Sequence, residues 1–120
     1  MDTPRARGLK EEQDMLKVIA QDFIRPEAVA IVAPLYRELV ELTRKEPLCI
    51  SYDLFVDQKD PSHFIFVETW PDRAALQTHC ETEHFRRLVP LINAYQREKA
   101  IITLMYEFSP VADGELAKHA

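Results

Sequence analysis

The body of the chain, from Met15 to Pro110, contains no glycine; the only two glycines are Gly8 and Gly114. Every turn in that body must be made without the residue that most easily takes a positive φ. Phosphate-cradling loops of the Walker and GxGxxG kinds need glycines at fixed places, so neither is present. A nucleotide-like cofactor held by such a loop is therefore not expected.

The 120 residues fit one domain, large enough for a single packed core without disulfide or metal staples. Apolar residues at 47% and charged residues at 29% suit a soluble globular chain. A net charge of −5, without a block of Lys or Arg, argues against nucleic acid as a partner, because phosphate binding needs a basic face. Cys49 and Cys80 form no CxxC pair and suggest no disulfide framework, so both are expected as thiols in a reducing, cytoplasmic setting. The opening stretch MDTPRARGLKEEQD is polar and lacks the apolar segment of a signal peptide. The longest nearly apolar run, Ala28 to Tyr36, is too short to cross a bilayer, so no membrane partner is expected. Residues 1–14 and 111–120 are expected to be flexible tails around a domain at 15–110.

Residues 15–25 are mostly apolar and suggest a strand. Pro26 then opens a helix, in which Val29, Val32, Ala33, Tyr36, Leu39, Val40 and Thr43 recur at helical spacing. The stripe runs past Pro34, which predicts one helix, kinked or irregular near its start, rather than two. Lys45-Glu46-Pro47 ends it. Strands are predicted at 49–56 and 63–70, joined by the turn 57–62 into an antiparallel hairpin. A helix starts at Asp72 with Ala75, Leu76, His79 and Cys80 on one face. The next stripe, Phe85, Leu88, Val89 and Ile92, is out of phase with it. This slip predicts a break near Thr82, which can cap a second short helix. Residues 99–108 form the last predicted strand.

The order β-α-β-β-α-β is the ferredoxin-like α+β arrangement with an antiparallel sheet. The predicted strands carry apolar residues on both faces, whereas helices in such a fold cover only one. Packing two sheets together in a homodimer is the simplest cover for the other face.

Three segments carry a family resemblance: MLKVIAQDFIRPE at the start, EPLCISYDLFVDQKDP in the middle, and FVETWPDRAALQTHCETEHF after it. With these the chain resembles the antibiotic biosynthesis monooxygenase (ABM) family of dimeric α+β barrel proteins, which includes small quinol monooxygenases. The third segment is the most specific, a strand ending in Glu-x-Trp, a polar turn, Ala-Leu, His, then His-Phe. The family commonly has Glu-Pro-Gly-Cys where this chain has Glu46-Pro47-Leu48-Cys49, so the bend there must be built differently, or Leu48 is strained. The resemblance implies oxygenation without flavin, haem or metal. A quinol or polyphenolic aromatic would bind between sheet and helices, lose a proton, and pass an electron to O2. The protein would handle the proton, orient the ring and keep water out. Relatives that degrade haem carry an asparagine where Asp22 stands, so that role is not expected here.

Within this frame His79 is either a base or hydrogen-bond partner for a substrate hydroxyl, or a core histidine satisfied by a backbone carbonyl. Glu68 alternates with Phe64 and Phe66, where a carboxylate is costly unless paired. It either pairs with an arginine across the dimer or holds a histidine or a substrate proton. Trp70, Tyr52 and Phe85 are expected to shape the cavity or serve as plain core, and Tyr52 adds a hydroxyl. His84 is a further candidate substrate contact. It lies five residues from His79, about 140° around a continuous helix, which is poor geometry for a shared metal. His79 with Glu83, and Cys80 with His84, have i, i+4 spacing, but the break at Thr82 spoils both, so no metal site is expected. Cys80 is either a nucleophile beside the histidines or a small buried residue. His63 and His119 are expected to face solvent. Two other functions fit the same scaffold, since fold does not dictate function: an isomerase acting on a small carbonyl compound, and a non-catalytic dimer that binds a small aromatic.

Overall fold

In a computed structural model the described residues are 15–108. The expected tails, and His119 with them, lie outside the described residues. The elements are β1 (Leu16–Ile24), α1 (Val29–Arg44), β2 (Ser51–Val56), β3 (His63–Trp70), α2 (Arg73–Cys80), α3 (Glu83–Asn93) and β4 (Gln96–Met105). The sheet runs β2-β3-β1-β4, and every neighbouring pair is antiparallel. This is the ferredoxin-like α+β fold expected from the strand and helix order.

Pro26 opens a single 3-10 turn over Pro26–Ala28, and the α-helix proper begins at Val29. The helix then continues through Pro34 to Arg44, because Val32, Tyr36, Leu39 and Thr43 bury one face against the sheet. The facing core comes from Leu16, Val18 and Ile24 on β1 and from Phe64, Phe66 and Trp70 on β3.

The hairpin is in register, with Tyr52 opposite Glu68 and Leu54 opposite Phe66. The strand β2 starts at Ser51 rather than at residue 49. Cys49 belongs to the preceding turn, where its N–H donates to the Glu46 carbonyl at 3.1 Å. No described residue has a positive φ. The bend at Pro47-Leu48 is thus made without left-handed backbone, and Leu48 carries no such strain.

Strand β4 starts at Gln96 instead of 99 and ends at Met105 instead of 108. Its polar first residues are held by side-chain bonds that alternation cannot reveal. Gln96 Oε1 accepts from the Phe23 N–H at 3.1 Å, and Arg97 Nε donates to the Ile24 carbonyl at 3.1 Å. The pairing is irregular there, with register shifts between Gln21 and Ile24.

The phase slip at Thr82 is a real break. Cys80 ends α2, and Thr82 caps α3 by accepting from the Phe85 N–H at 3.3 Å. The same hydroxyl donates to the His79 carbonyl at 2.7 Å, so one side chain ties the end of α2 to the start of α3. At the other end of α2, Asp72 accepts from the Ala75 N–H at 2.8 Å.

On the face away from the helices Phe55, Val67 and Ile101 are exposed. Ile102 and Leu104 of β4 lie on the helix side by register yet stay exposed, because the helices do not cover that edge.

Thr82→Ala removes both bonds of the double cap. Stability should fall by about 1 kcal/mol, read by urea denaturation. An unchanged midpoint would mean that the cap does not hold the break.

Candidate functional site

A cavity of about 190 Å³ lies between the sheet and the two short helices. Val18, Ala20 and Phe66 face it from the strands, and Leu76, Phe85 and Val89 from the helices. Its polar lining is small: Asp22, Tyr52, Glu68, His79, Cys80 and Asn93. Among the described residues neither lysine nor arginine lines it.

Glu68 reaches the cavity because β3 alternation puts it on the helix side with Phe64 and Phe66. It is 5% exposed, and its Oε1 accepts from the Trp70 indole N–H at 2.8 Å. Trp70, two residues on, is fully buried. Burial pushes the Glu68 carboxyl up to about 7, against the opposing Trp70 hydrogen bond. No arginine within the chain pairs with it among the described residues. Tyr52, opposite Glu68 on β2, packs between Phe66 and His79 at ring distances of 5.1 and 5.4 Å. Burial first, and then Glu68, hold its phenol well above the usual range, so it stays protonated.

His79 points inward from the last turn of α2 and is 2% exposed. Its ring packs on Trp70 at 4.6 Å and edge-on to Phe85 at 5.0 Å. Its Nδ1 lies 2.8 Å from Glu46 Oε2, so the partner is a carboxylate rather than a backbone carbonyl. Nε2 has no hydrogen-bond partner among the described residues. Burial lowers the His79 pKa below the usual histidine value, with Glu46 pulling the other way.

Glu46 is the residue that sequence reasoning missed. His84 Nε2 lies 2.6 Å from the same Oε2, so two imidazoles share one carboxylate oxygen. The three ligand-type atoms lie within 4.8 Å of one another. The argument from a continuous helix concerned a shared metal; with the expected break at Thr82 in place, the two rings meet on a carboxylate. The break at Thr82 redirects α3 and turns both rings to the turn after α1. A signal for Glu46 was present, since an acid just past a helix C-terminus opposes the macrodipole and calls for a partner.

Of the expected substrate contacts, Tyr52 and Phe85 line the cavity. Trp70 and His84 are not among the lining residues; Trp70 supports Glu68 and His79, and His84 supports Glu46. At the far end Asp22 accepts from the Tyr36 hydroxyl at 2.6 Å and from Gln96 Nε2 at 3.2 Å. Burial raises its pKa against both bonds. Burial and neighbouring acids raise the Cys80 thiol, which favours the small-residue reading over the nucleophile. His63 does not simply face solvent. It stacks on Phe23 at 4.6 Å and bonds Asp57 and Gln21, each at 2.9 Å.

A four-stranded sheet with helices on one face covers an apolar cavity that holds a buried histidine and carboxyl, an α+β domain with a candidate site. The chain belongs to the antibiotic biosynthesis monooxygenase family, whose profile matches residues 15–91. It is similar to a crystal structure of an antibiotic biosynthesis monooxygenase, with 71% identity, a TM-score of 0.78, and coverage of 78% of this chain and 99% of the other. PA3566 of Pseudomonas aeruginosa is 32% identical with a TM-score of 0.74, covering 82% of this chain and 98% of its own. Among curated relatives, sll1783 of Synechocystis sp. is 32% identical over 84 residues, which are 70% of this chain and 57% of that protein. YcnE of Bacillus subtilis is 38% identical over 53 residues, 44% of this chain and 56% of its own. The chain thus spans a little over half the length of the curated relatives it matches.

Glu68 links stability to pH. Its carboxyl ionises near 4.5 when unfolded and near 7 when folded. Below 4.5 both states are protonated. Between 4.5 and about 7 the unfolded state loses the proton first, so stability falls as pH rises, by an amount of order 3 kcal/mol. Glu68→Gln should flatten this slope in urea denaturation between about pH 5 and about pH 8. Parallel profiles for the two proteins would show that Glu68 ionises normally.

Proposed function

We propose that this protein is a cofactor-independent monooxygenase that oxidises a neutral quinol or polyphenolic aromatic with O2. The observation that carries the reading is the Glu46–His79 pair at an apolar cavity. With Glu46 accepting the Nδ1 proton, His79 is held in the tautomer whose Nε2 lone pair is available as a base. An engineered apolar cavity of about 150 Å³ in another protein holds benzene. A cavity of about 190 Å³ therefore suits a substituted ring. The lack of cationic lining among the described residues disfavours anionic substrates and favours neutral phenols.

In this mechanism Nε2 of His79 takes the phenolic proton, and the apolar walls keep water from the anion. The anion passes one electron to O2. The resulting radical pair joins at a ring carbon as a peroxide anion, which takes the proton back from His79 to become a hydroperoxide. Loss of water then leaves a quinone, with one oxygen atom in the product and one in water. Glu68 supports the pocket's polarity, Tyr52 offers a hydrogen bond to a substrate oxygen, and Phe85 shapes the wall. A homodimer is part of the proposal, since exposed Phe55, Val67 and Ile101 leave the outer sheet face apolar.

A second reading is favoured by one observation, a carboxyl held protonated to about pH 7 in the same cavity as a neutral histidine. A base and a neutral acid are what carbonyl isomerisation needs. The two readings part on oxygen.

Purified, chelator-treated protein should consume O2 with hydroquinones or naphthols above their autoxidation. His79→Ala should cut that rate at least about 100-fold with its circular dichroism unchanged. An unchanged rate would remove His79 from the mechanism. Conversion of a carbonyl compound without O2 uptake would favour the isomerase, and saturable binding without product the non-catalytic dimer. Light scattering at micromolar concentration should give the dimer mass, and a monomer would remove that part of the proposal.

A further inference from the structure

We propose that Glu46, His79 and His84 form a binding site for one divalent first-row transition ion, and that this ion switches off the base. The second half rests on the monooxygenase reading above; the first does not.

The donor set is chemically apt. Two imidazole nitrogens and one carboxylate oxygen, His79 Nδ1, His84 Nε2 and Glu46 Oε2, lie within 4.8 Å of one another. They come from three separate pieces of chain, the turn after α1, the end of α2 and the start of α3, so they converge by tertiary structure. All three side chains are largely buried, with exposures of 2% for His79, 14% for His84 and 10% for Glu46. Two histidines with one glutamate is a ligand set used for zinc and for other first-row ions, and it leaves a position for water.

The geometry needs only a small adjustment. The nitrogens now sit 2.8 and 2.6 Å from Glu46 Oε2, bridged by protons. Around an ion bound at about 2.0–2.1 Å, neighbouring donors stand about 3.3 Å apart, so each nitrogen–oxygen pair opens by roughly 0.5–0.7 Å while the two nitrogens, now within 4.8 Å, close toward the same spacing. All three side chains sit at or just past element ends. Among the described residues no lysine or arginine lines the adjoining cavity, so no fixed positive charge there opposes the ion.

The proton balance explains the switch. The ion replaces the proton on His79 Nδ1 and the one on His84 Nε2. Each ring stays neutral by carrying its proton on the other nitrogen, and no redox change occurs. For His79 that other nitrogen is Nε2, the proposed base. With an ion on Nδ1, Nε2 becomes a hydrogen-bond donor and can no longer accept the phenolic proton. The same contact that orients the base thus offers the means of disabling it.

The test is a titration of the chelator-treated full chain with Co2+. The expected result is one Co2+ per chain, with the intense visible absorption of four- or five-coordinate cobalt, displaced by Zn2+. Affinity should fall at least about tenfold in His84→Ala and in Glu46→Gln, and stay unchanged in the control His63→Ala. If a variant does not fold, nitrogen-15 NMR of wild type with Zn2+ decides instead, by reporting metal on His79 Nδ1 and His84 Nε2. Weak octahedral absorption, or equal affinity in folded His84→Ala, overturns the site. In O2-uptake assays Zn2+ should abolish wild-type turnover and chelator should restore it. Turnover that persists with the site loaded overturns the switch. A metal-free protein with no turnover would sink the monooxygenase reading while leaving the cobalt titration to decide the site.

Discussion

One carboxylate oxygen organises the functional half of this molecule. Glu46 Oε2 holds His79 and His84 at once, and so ties the turn after α1 to both short helices. Burying a carboxylate is costly, and placing one past a helix C-terminus adds an unfavourable dipole term. Two imidazole N–H groups offset both. In return the rings lose their freedom, and His79 is pressed between Trp70 and Phe85 with one tautomer selected. The Thr82 cap secures the same junction through the backbone, so a side-chain tie and a helix cap reinforce each other.

The cavity beside this tie disfavours charge on its polar groups. Glu68 and Asp22 sit on one pleated face, opposite Val18 and Phe64 respectively. The four-residue offset puts them roughly 13 Å apart along the strands. Each has a neutral hydrogen-bond donor, Trp70 or Tyr36, and neither has a cationic partner among the described residues. Desolvation therefore dominates, and both carboxyls hold their protons more firmly than in water. The same desolvation lowers the His79 pKa. Acids with raised pKa values, a histidine with a lowered one and apolar walls all disfavour charge in the cavity.

Much of the fold was legible in the sequence because its signals are local. Alternation along 63–70 marks β3, the helical stripe from Val29 to Thr43 marks α1, and the phase slip after Cys80 marks the break. Alternation failed at the start of β4, where Gln96 and Arg97 are strand residues held by side-chain bonds to the backbone of β1. The candidate site was half legible. His79 and Glu68 stood out as polar groups on apolar faces. Glu46 did not, because its partners are 33 and 38 residues away.

The sequence by itself determined the element order, the family, the glycine-free turns and the inward direction of His79, since periodicity and residue chemistry act over a few neighbours. Only the tertiary structure decided that His79 is held by Glu46 rather than a backbone carbonyl, and that Glu68 bonds Trp70 rather than an arginine. It also decided that two histidines with poor spacing on one helix meet on one oxygen. The physical reason is that helix breaks and strand pairing set long-range distances. A pKa or a tautomer depends on those distances and on burial, and neither is written in local spacing.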